Sequence, residues 1–254
     1  MSGLVTKMYA VFVGVGVFAF ANGYVNVALN KPAYQQNAYR GNDPYDASNA
    51  VDGRKSDLRW DGGQCAVSWG EQTATWWVNL TYIHSIHHIT IYFRTDNKPW
   101  GPSNSNTMVF IGFSVYVSNT TDRLQGTLCY KDDNFTLATI PSVFNTTCPV
   151  HGQYVIYYNE RLPGVTYPDE YSEVVVSDLC ELEVYGCPAT GCYGSINSPP
   201  CPDVNCQYCH IETGTCQGCK PGYKGYRCEL AKLKAQKYTF LGDILHHMYP
   251  QQYG

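Results

Sequence analysis

Between residues 26 and 186, short apolar and aromatic segments alternate with polar breaks that contain Asn, Gly, Pro or Asp, at intervals of roughly 8–12 residues. The segments are rich in β-branched and aromatic residues, which favour strands. Most alternate imperfectly between apolar and polar positions, as strands buried on one face do. The pattern predicts an all-β sandwich with strands at 75–80, 88–94, 113–118, 154–158 and 179–185.

A different pattern precedes this region. Residues 8–21 form an apolar run behind a short polar stretch that carries Lys7, and small residues stand at Ala19 and Ala21. This layout is that of a secretory signal peptide, and the run is shorter than the roughly 20 residues that span a bilayer. We expect residues 1–21 to be a signal peptide cleaved after Ala21, with an uncleaved anchor as the alternative. The chain would then be secreted or lie on the extracellular face of the plasma membrane.

All twelve cysteines follow the predicted signal peptide, which fits an oxidising compartment. Cys65, Cys129, Cys148 and Cys180 lie in the sandwich region. That region is long enough to bury a core without help, so its disulfides are additional braces. Four cysteines allow three pairings. We favour Cys129 with Cys148, which closes a local loop, and Cys65 with Cys180, which ties an early loop to the last strand.

At Cys187 the composition changes, because the other eight cysteines fall within residues 187–228 and almost no aliphatic residues accompany them. Such a segment cannot bury a hydrophobic core and folds through its disulfides. Its two Cys-x-x-Cys pairs would also suit a four-thiolate zinc site. In a secreted chain we expect disulfides, and we predict a separate cysteine-rich module at 187–229 followed by a tail at 230–254.

The charge content and the absence of two catalytic motifs argue against two classes of function. The formal net charge is −4 with only 15% charged residues, so the chain lacks the basic stripe that nucleic-acid binding requires. Neither the Gly-x-Ser-x-Gly elbow nor the His-Glu-x-x-His zinc pair occurs, and we expect no enzymatic activity. Four Asn-x-Ser/Thr triplets predict N-glycosylation at Asn79, Asn119, Asn134 and Asn145.

Four motifs in order resemble the galactose-binding-like family, which includes fucolectins and discoidin or coagulation-factor type C domains. They are NVALNKPA at 26–33, ASNAVDG at 47–53, TWWVNL at 75–80 and LCELEVYG at 179–186. The resemblance implies a jelly-roll sandwich in which the loops at one end form a ligand surface.

The same resemblance implies a structural calcium ion beneath those loops. The matching positions are the side chains of Asn49, Asp52 and Glu181 and the main-chain carbonyls of Arg54, Gln64 and Cys180. Calcium prefers many oxygen ligands, carbonyls included, so the set is chemically sensible. The alternative is that Asn49 and Asp52 only form the turn around Gly53.

The sugar site of the family is matched only in part. Arg94 and Asp96 stand where fucolectins carry an Arg-x-Asp turn, and such groups can grip paired sugar hydroxyls. Val67 replaces the expected His, and no cysteine pair follows Asp96, so fucose itself is not implied. We predict a ligand site made of Arg94, Asp96, Lys98 and Trp100, with Trp100 as a flat face for a sugar ring. The alternative is that Arg94 and Asp96 only pair with each other.

The cysteine-rich stretches CQYC at 206–209, TCQGC at 215–219 and PGYKGYRC at 221–228 resemble the EGF-like repeats of scavenger and engulfment receptors, the Draper type among them. In that family the corresponding cysteine follows the glycine, whereas Cys192 precedes it in this sequence. The disulfide partner of Cys192 is therefore left undecided.

Two functions follow. The first is a calcium-stabilised, lectin-like protein that recognises glycans on cells or microbes, where a homo-oligomer would supply multivalency. The second is the ectodomain, or part of it, of an adhesion, scavenger or engulfment receptor that binds a cell-surface protein or anionic lipid.

Overall fold

The computed structural model describes residues 23–40, 44–196 and 198–231. The predicted signal peptide and most of the predicted tail therefore lie outside the described residues. The described residues form twelve strands: β1 Val25–Asn26, β2 Ala33–Gln35, β3 Thr73–Phe93, β4 Ser114–Ser118, β5 Thr127–Lys131, β6 Val143–Thr147, β7 His151–Glu160, β8 Leu179–Gly186, β9 Cys206–Cys209, β10 Cys216–Cys219, β11 Tyr223–Lys224 and β12 Leu230–Ala231. One α-helix, α1 Thr107–Phe110, and two 3-10 turns, Ala47–Val51 and Arg123–Gln125, complete the elements.

The first eight strands form two antiparallel sheets that share β3. One sheet has the order β1-β8-β3-β6, and the other has the order β2-β3-β7-β4-β5. Large side chains from both sheets meet between them and are fully buried, among them Trp76, Phe93, Phe113, Leu80 and Tyr157. The predicted all-β sandwich is confirmed.

β3 is longer than any predicted strand because it runs through both sheets. Its first half pairs with β7 through Asn79, and its second half pairs with β8 from Ile86 onward. The chain turns between these halves at Thr81, whose φ is 73°. The predicted strands 75–80 and 88–94 are therefore parts of one bent strand, which carries the polypeptide from one sheet to the other.

Six disulfides pair all twelve cysteines. In the sandwich, Cys65 is bonded to Cys180 and Cys129 to Cys148, the same pairs that the sequence analysis favours. In the cysteine-rich module the bonds are Cys187–Cys192, Cys201–Cys209, Cys206–Cys216 and Cys219–Cys228. The partner of Cys192 is thus its near neighbour Cys187, and three bonds hold the rest of the module.

The cysteine-rich module docks against the sandwich directly after β8. Cys187 N donates to Ser85 O at 2.9 Å, and Ser85 Oγ donates to Cys209 O at 3.3 Å. His151 Nε2 also contacts Cys209 O, at 2.8 Å, and Ile211 is buried beside Cys187. These contacts lie near the bend of β3, while β8 begins at the opposite end of the sandwich.

No helix within residues 23–40, 44–196 and 198–231 has the length and apolar character needed to cross a bilayer.

Candidate functional site

The candidate site lies at the end of the sandwich where β3 ends and β8 begins, since Phe93 pairs there with Leu179. Two loops that are distant in sequence are bonded together at this end. Trp60 N donates to Asp96 Oδ1 at 3.1 Å, and Asp96 N donates to Leu58 O at 2.9 Å. The loop after β3 therefore fixes the loop that precedes Cys65, and together they form one surface.

Arg94 lies at the base of this surface rather than on top of it. Its guanidinium forms an ion pair with Asp178, donates to Asn106 Oδ1 at 2.7 Å and lies 3.4 Å from Asp96 Oδ1. Asp178 is fully buried and also accepts from Ser68 N at 2.8 Å. The guanidinium is thus occupied by protein groups, and the alternative of an Arg94–Asp96 pair describes part of a larger buried network.

The other two predicted ligand residues separate. Lys98 is exposed on the surface. Trp100 instead packs against the core, with its ring 6.4 Å from that of Phe93 and 6.1 Å from that of Phe110, and its Nε1 donates to Ile140 O at 2.8 Å. Trp100 is partly buried, and its sugar-stacking role stays a prediction.

A group of aromatic rings lies beside these loops, which we call the loop aromatic cluster: the exposed Trp60 and Trp69, the half-buried Tyr39 and the buried Tyr45. Trp60 stacks on Tyr45 at 5.9 Å between centroids, and Tyr39 contacts Trp69 at 4.6 Å. Trp60 and Trp69 are 42% and 56% exposed. Sequence reasoning missed this cluster, although two tryptophans in a loop rich in Gly, Asp and Gln were a visible signal.

The predicted calcium ligands surround the start of the same loop. Glu181 is fully buried, and its only hydrogen bonds within the described chain come from Gly53 N, at 3.2 Å to each carboxylate oxygen. Burial raises the pKa of Glu181 to about 8, and the nearby carboxylates of Asp52 and Glu183 raise it as well. A buried carboxylate with one amide partner and a second carboxylate near it is the environment that a bound cation would relieve.

Asn49 and Gln64, two further predicted calcium ligands, are held by hydrogen bonds. Asn49 Nδ2 donates to Pro44 O at 2.6 Å, which leaves its Oδ1 without a donor in the described chain. Gln64 Oε1 accepts from Ser56 N at 2.9 Å and so closes the loop that carries the carbonyls of Arg54 and Gln64.

Asp52 also fits the alternative interpretation, because its Oδ1 accepts from Arg54 N at 2.8 Å as a turn-forming Asp does. Among the described residues, no group of three His, Cys, Asp or Glu side chains is placed to hold a metal. The predicted set has only two carboxylates, and its other donors are amide and carbonyl oxygens of the kind calcium accepts.

Three of the four predicted glycosylation residues are exposed, and Asn79 is half-buried. Asn119 is exposed after β4, and Asn134 lies in the loop after β5. Asn145 is in β6, and Asn79 is on β3 at the point where the strand begins to bend.

No family model and no curated protein matches the chain. Among solved structures, a fucolectin from striped bass serum (Morone saxatilis) is 26% identical with a TM-score of 0.49, over 66% of this chain and 50% of that one. A fucose-binding module of Streptococcus pneumoniae is 18% identical with a TM-score of 0.46, over 64% and 96% of the two chains. A chitosan-binding module from a Paenibacillus chitosanase/glucanase, in complex with chitotriose, is 20% identical with a TM-score of 0.42, over 63% and 100%.

The match spans half the length of the striped bass fucolectin. Strand pairing and burial within this chain establish the sandwich.

Proposed function

We propose that the chain is an extracellular carbohydrate-binding protein whose ligand surface is the loop aromatic cluster, stabilised from below by calcium. The observation that carries the proposal is the exposure of Trp60 and Trp69 at the loop end of the sandwich. Large aromatic side chains are normally covered, and exposed groups of them mark interaction sites. Indole rings present flat apolar faces to the C–H groups of a pyranose ring.

Polar groups next to the cluster supply the second requirement of sugar recognition, which is hydrogen bonding. Arg59 and Asp61 flank Trp60 and pair with each other at 2.7 Å on the exposed rim. Lys98 is exposed on the adjoining loop and keeps its predicted place as a contact residue. Such a site holds one ring by stacking and fixes its orientation by a few polar contacts.

Arg94 and Asp96 take a different role in this proposal from the one that the family resemblance implies. They are positioning residues, because Asp96 holds the backbone N–H of Trp60 and Arg94 anchors Asp96 to the buried Asp178.

Calcium would be held by Asn49, Asp52 and Glu181 and by the carbonyls of Arg54, Gln64 and Cys180. The ion would neutralise the buried Glu181 and tie the loop 53–64 to β8. Because that loop carries Trp60, loss of the ion would loosen the ligand surface as well as the fold.

The six disulfides are typical of an oxidising, extracellular location. We further propose that 187–229 is an EGF-like module of the scavenger and engulfment receptor type. Its overlapping bonds Cys201–Cys209 and Cys206–Cys216, followed by Cys219–Cys228, support a compact module that cross-links alone hold together.

A glycan array with the secreted protein, in calcium and in chelator, tests the function. We expect binding that needs calcium and is lost in Trp60→Ala and Trp69→Ala. Tyr82→Ala is the matched control, because Tyr82 is 69% exposed but lies at the bend of β3, far from the loops. A blank array, or equal binding by all three variants, would reject the site.

Anionic lipid is the second candidate ligand, since the exposed Arg40 lies over the Tyr39 ring at 5.1 Å and the exposed Arg59 directly precedes Trp60. An aromatic surface with arginines also suits a lipid headgroup region. Flotation with phosphatidylserine liposomes separates the two, because the carbohydrate proposal predicts no difference from phosphatidylcholine liposomes.

A further inference from the structure

The outer face of the sheet β2-β3-β7-β4-β5 carries a second set of aromatic rings, distant from the loop end. Tyr34 and Trp77 are cross-strand partners that stack at 5.2 Å, and Tyr154 meets Trp77 edge to face at 5.5 Å. Tyr34 is 47% exposed, and Trp77 and Tyr154 are half-buried. We call these three residues the sheet-face cluster. The three rings form an apolar surface on the outer side of the sandwich.

Asn79 lies within this cluster. It follows Trp77 by two positions on β3, and alternate residues of a strand point to the same face. Across the sheet, Asn79 is paired directly with Tyr154 on β7. Paired residues have Cβ atoms about 5 Å apart, so any group attached to Asn79 begins next to both rings.

The Asn79 side chain is held in one orientation. Its Oδ1 accepts from Thr81 N at 2.8 Å and from Gln153 Nε2 at 3.0 Å. Its Nδ2 donates to no acceptor in the described part of the chain. Thr81, the third residue of the Asn-x-Thr triplet, is exposed at the bend of β3. The amide is therefore fixed on the oxygen side and open on the nitrogen side, where a sugar would be attached.

We propose that Asn79 carries an N-linked glycan whose first N-acetylglucosamine lies against the sheet-face cluster, so that the glycan is an intramolecular cover for this face. In the modification, Nδ2 forms a bond to the anomeric carbon of a lipid-diphosphate-linked oligosaccharide. The carbon–oxygen bond to the diphosphate breaks, and one Nδ2 proton is released. The apolar face of the sugar and its acetyl methyl group then replace water over Trp77 and Tyr154.

The other three triplets lack this arrangement. The residues two positions before Asn119, Asn134 and Asn145 are Val117, Asp132 and Val143, none of them aromatic. At Asn145 the Nδ2 group also donates to Thr90 Oγ1 at 2.8 Å. A glycan at these sites would extend into solvent, so a stabilising effect is expected at Asn79 alone. With its sheet face covered, the protein would keep the loop aromatic cluster as the open aromatic surface.

The test uses the full chain secreted from a glycosylating host and the same chain made in an oxidising bacterial compartment without glycans. Mass spectrometry establishes occupancy at Asn79, and thermal unfolding gives Tm for wild type, Asn79→Gln, Asn119→Gln and Trp77→Thr. We expect the glycosylated wild type to exceed the unglycosylated form by about 2–4 °C in Tm. Asn119→Gln should keep that difference. Asn79→Gln should lose it, and Trp77→Thr should lose it with Asn79 still glycosylated.

Comparison with the unglycosylated forms removes the effect of the two hydrogen bonds that Asn79 itself accepts. If Trp77→Thr does not fold, Tyr34→Ser replaces it, because Tyr34 is exposed. A nuclear Overhauser contact between the acetyl methyl group and the Trp77 indole in the wild type is then the direct readout. An unoccupied Asn79, a glycan effect that persists without the aromatic ring, or equal effects at Asn79 and Asn119 would each overturn the proposal.

Discussion

The buried carboxylate of Glu181 lies against the backbone N–H of Gly53, which is 3.2 Å from each carboxylate oxygen. The two residues are 128 positions apart in sequence and join the last strand of the sandwich to the turn after Ala47–Val51. One shared N–H is little compensation for an ionised carboxylate that has lost its water. We therefore expect this end of β8 to be stabilised when Glu181 binds a proton or a cation.

Replacement of Glu181 by Gln should separate these two states. At pH 9 in chelator we expect Glu181→Gln to stabilise the fold by about 2 kcal/mol, or roughly 4–8 °C in Tm. The substitution replaces an unpaired buried carboxylate with a neutral side chain of similar shape. In calcium the wild type should gain stability and the variant should not. Thermal unfolding of both proteins in calcium and in chelator measures the four values.

Asp61→Asn is the control for this substitution, since Asp61 lies on the same loop but is exposed and pairs with Arg59. It should leave the calcium response unchanged. If Glu181→Gln responds to calcium as the wild type does, the ion is not bound at this carboxylate.

The pH dependence of stability should carry the same signature. The pKa of Glu181 is raised from its ordinary value of 4.5 to about 8 in the folded state. The folded state therefore binds the proton more tightly than the unfolded chain, and this stabilisation is complete below pH 4.5 and is lost as the pH rises through 8. In chelator, the free energy of unfolding of the wild type minus that of Glu181→Gln should therefore decrease as the pH rises from 4.5 to above 8. Urea unfolding from pH 4 to pH 9 checks it, and a flat difference would refute the assignment.

The calcium and ligand roles of the residues in this region stay predictions, and their surroundings could not be read from the sequence. Glu181 and Asp52 belong to recognisable motifs, so their proximity could be anticipated. The pairing of the Arg94 guanidinium with Asp178 could not be anticipated, because the two residues are 84 positions apart in sequence. Only the folded loops bring the two groups together. The packing of Trp100 against Phe93 and Phe110 could not be anticipated either, because the local sequence does not show the core beneath a polar loop.

Arg94→Ala should destabilise the fold by about 3–5 kcal/mol, because it leaves Asp178 buried without its cation. Asp178→Asn added to Arg94→Ala should recover a large part of that loss, since it removes the stranded charge. Urea unfolding of the two single variants and the double variant gives the coupling free energy. Lys98→Ala is the matched control, an exposed cation four residues later whose removal should change stability by less than about 0.5 kcal/mol.

A ligand-contact role for Arg94 predicts the opposite pattern, with glycan binding lost and stability kept. The double variant would then remain unable to bind at full stability. Loss of binding together with stability, restored together by Asp178→Asn, would identify Arg94 as a positioning residue.

The fold was more accessible to prediction than the site, because strand patterns are local. The segments 113–118, 154–158 and 179–185 lie at β4, β7 and β8 almost as expected. The continuity of β3 was not visible, since Thr81 at φ 73° and the exposed Tyr82 resemble a loop between two strands. Residues next to that bend carry the contacts to the cysteine-rich module.

His151 lies at those contacts, and we expect it to make the docking of the two modules sensitive to pH. Burial lowers the pKa of His151 from its ordinary 6.5, the nearby His210 lowers it further, and the hydrogen bond to Cys209 O opposes the shift. A lowered pKa means that the stabilisation is present above pH 6.5 and is lost as the pH falls through the folded value.

Hydrogen exchange of the β9 amides should therefore become a few-fold faster, relative to pH-corrected intrinsic rates, at pH 5 than at pH 7.5. The amides between β3 and β8 should change less. His151→Gln, which can still donate to Cys209 O but does not titrate, should remove the difference, and a β9 response that survives this substitution would assign the pH sensitivity to another group.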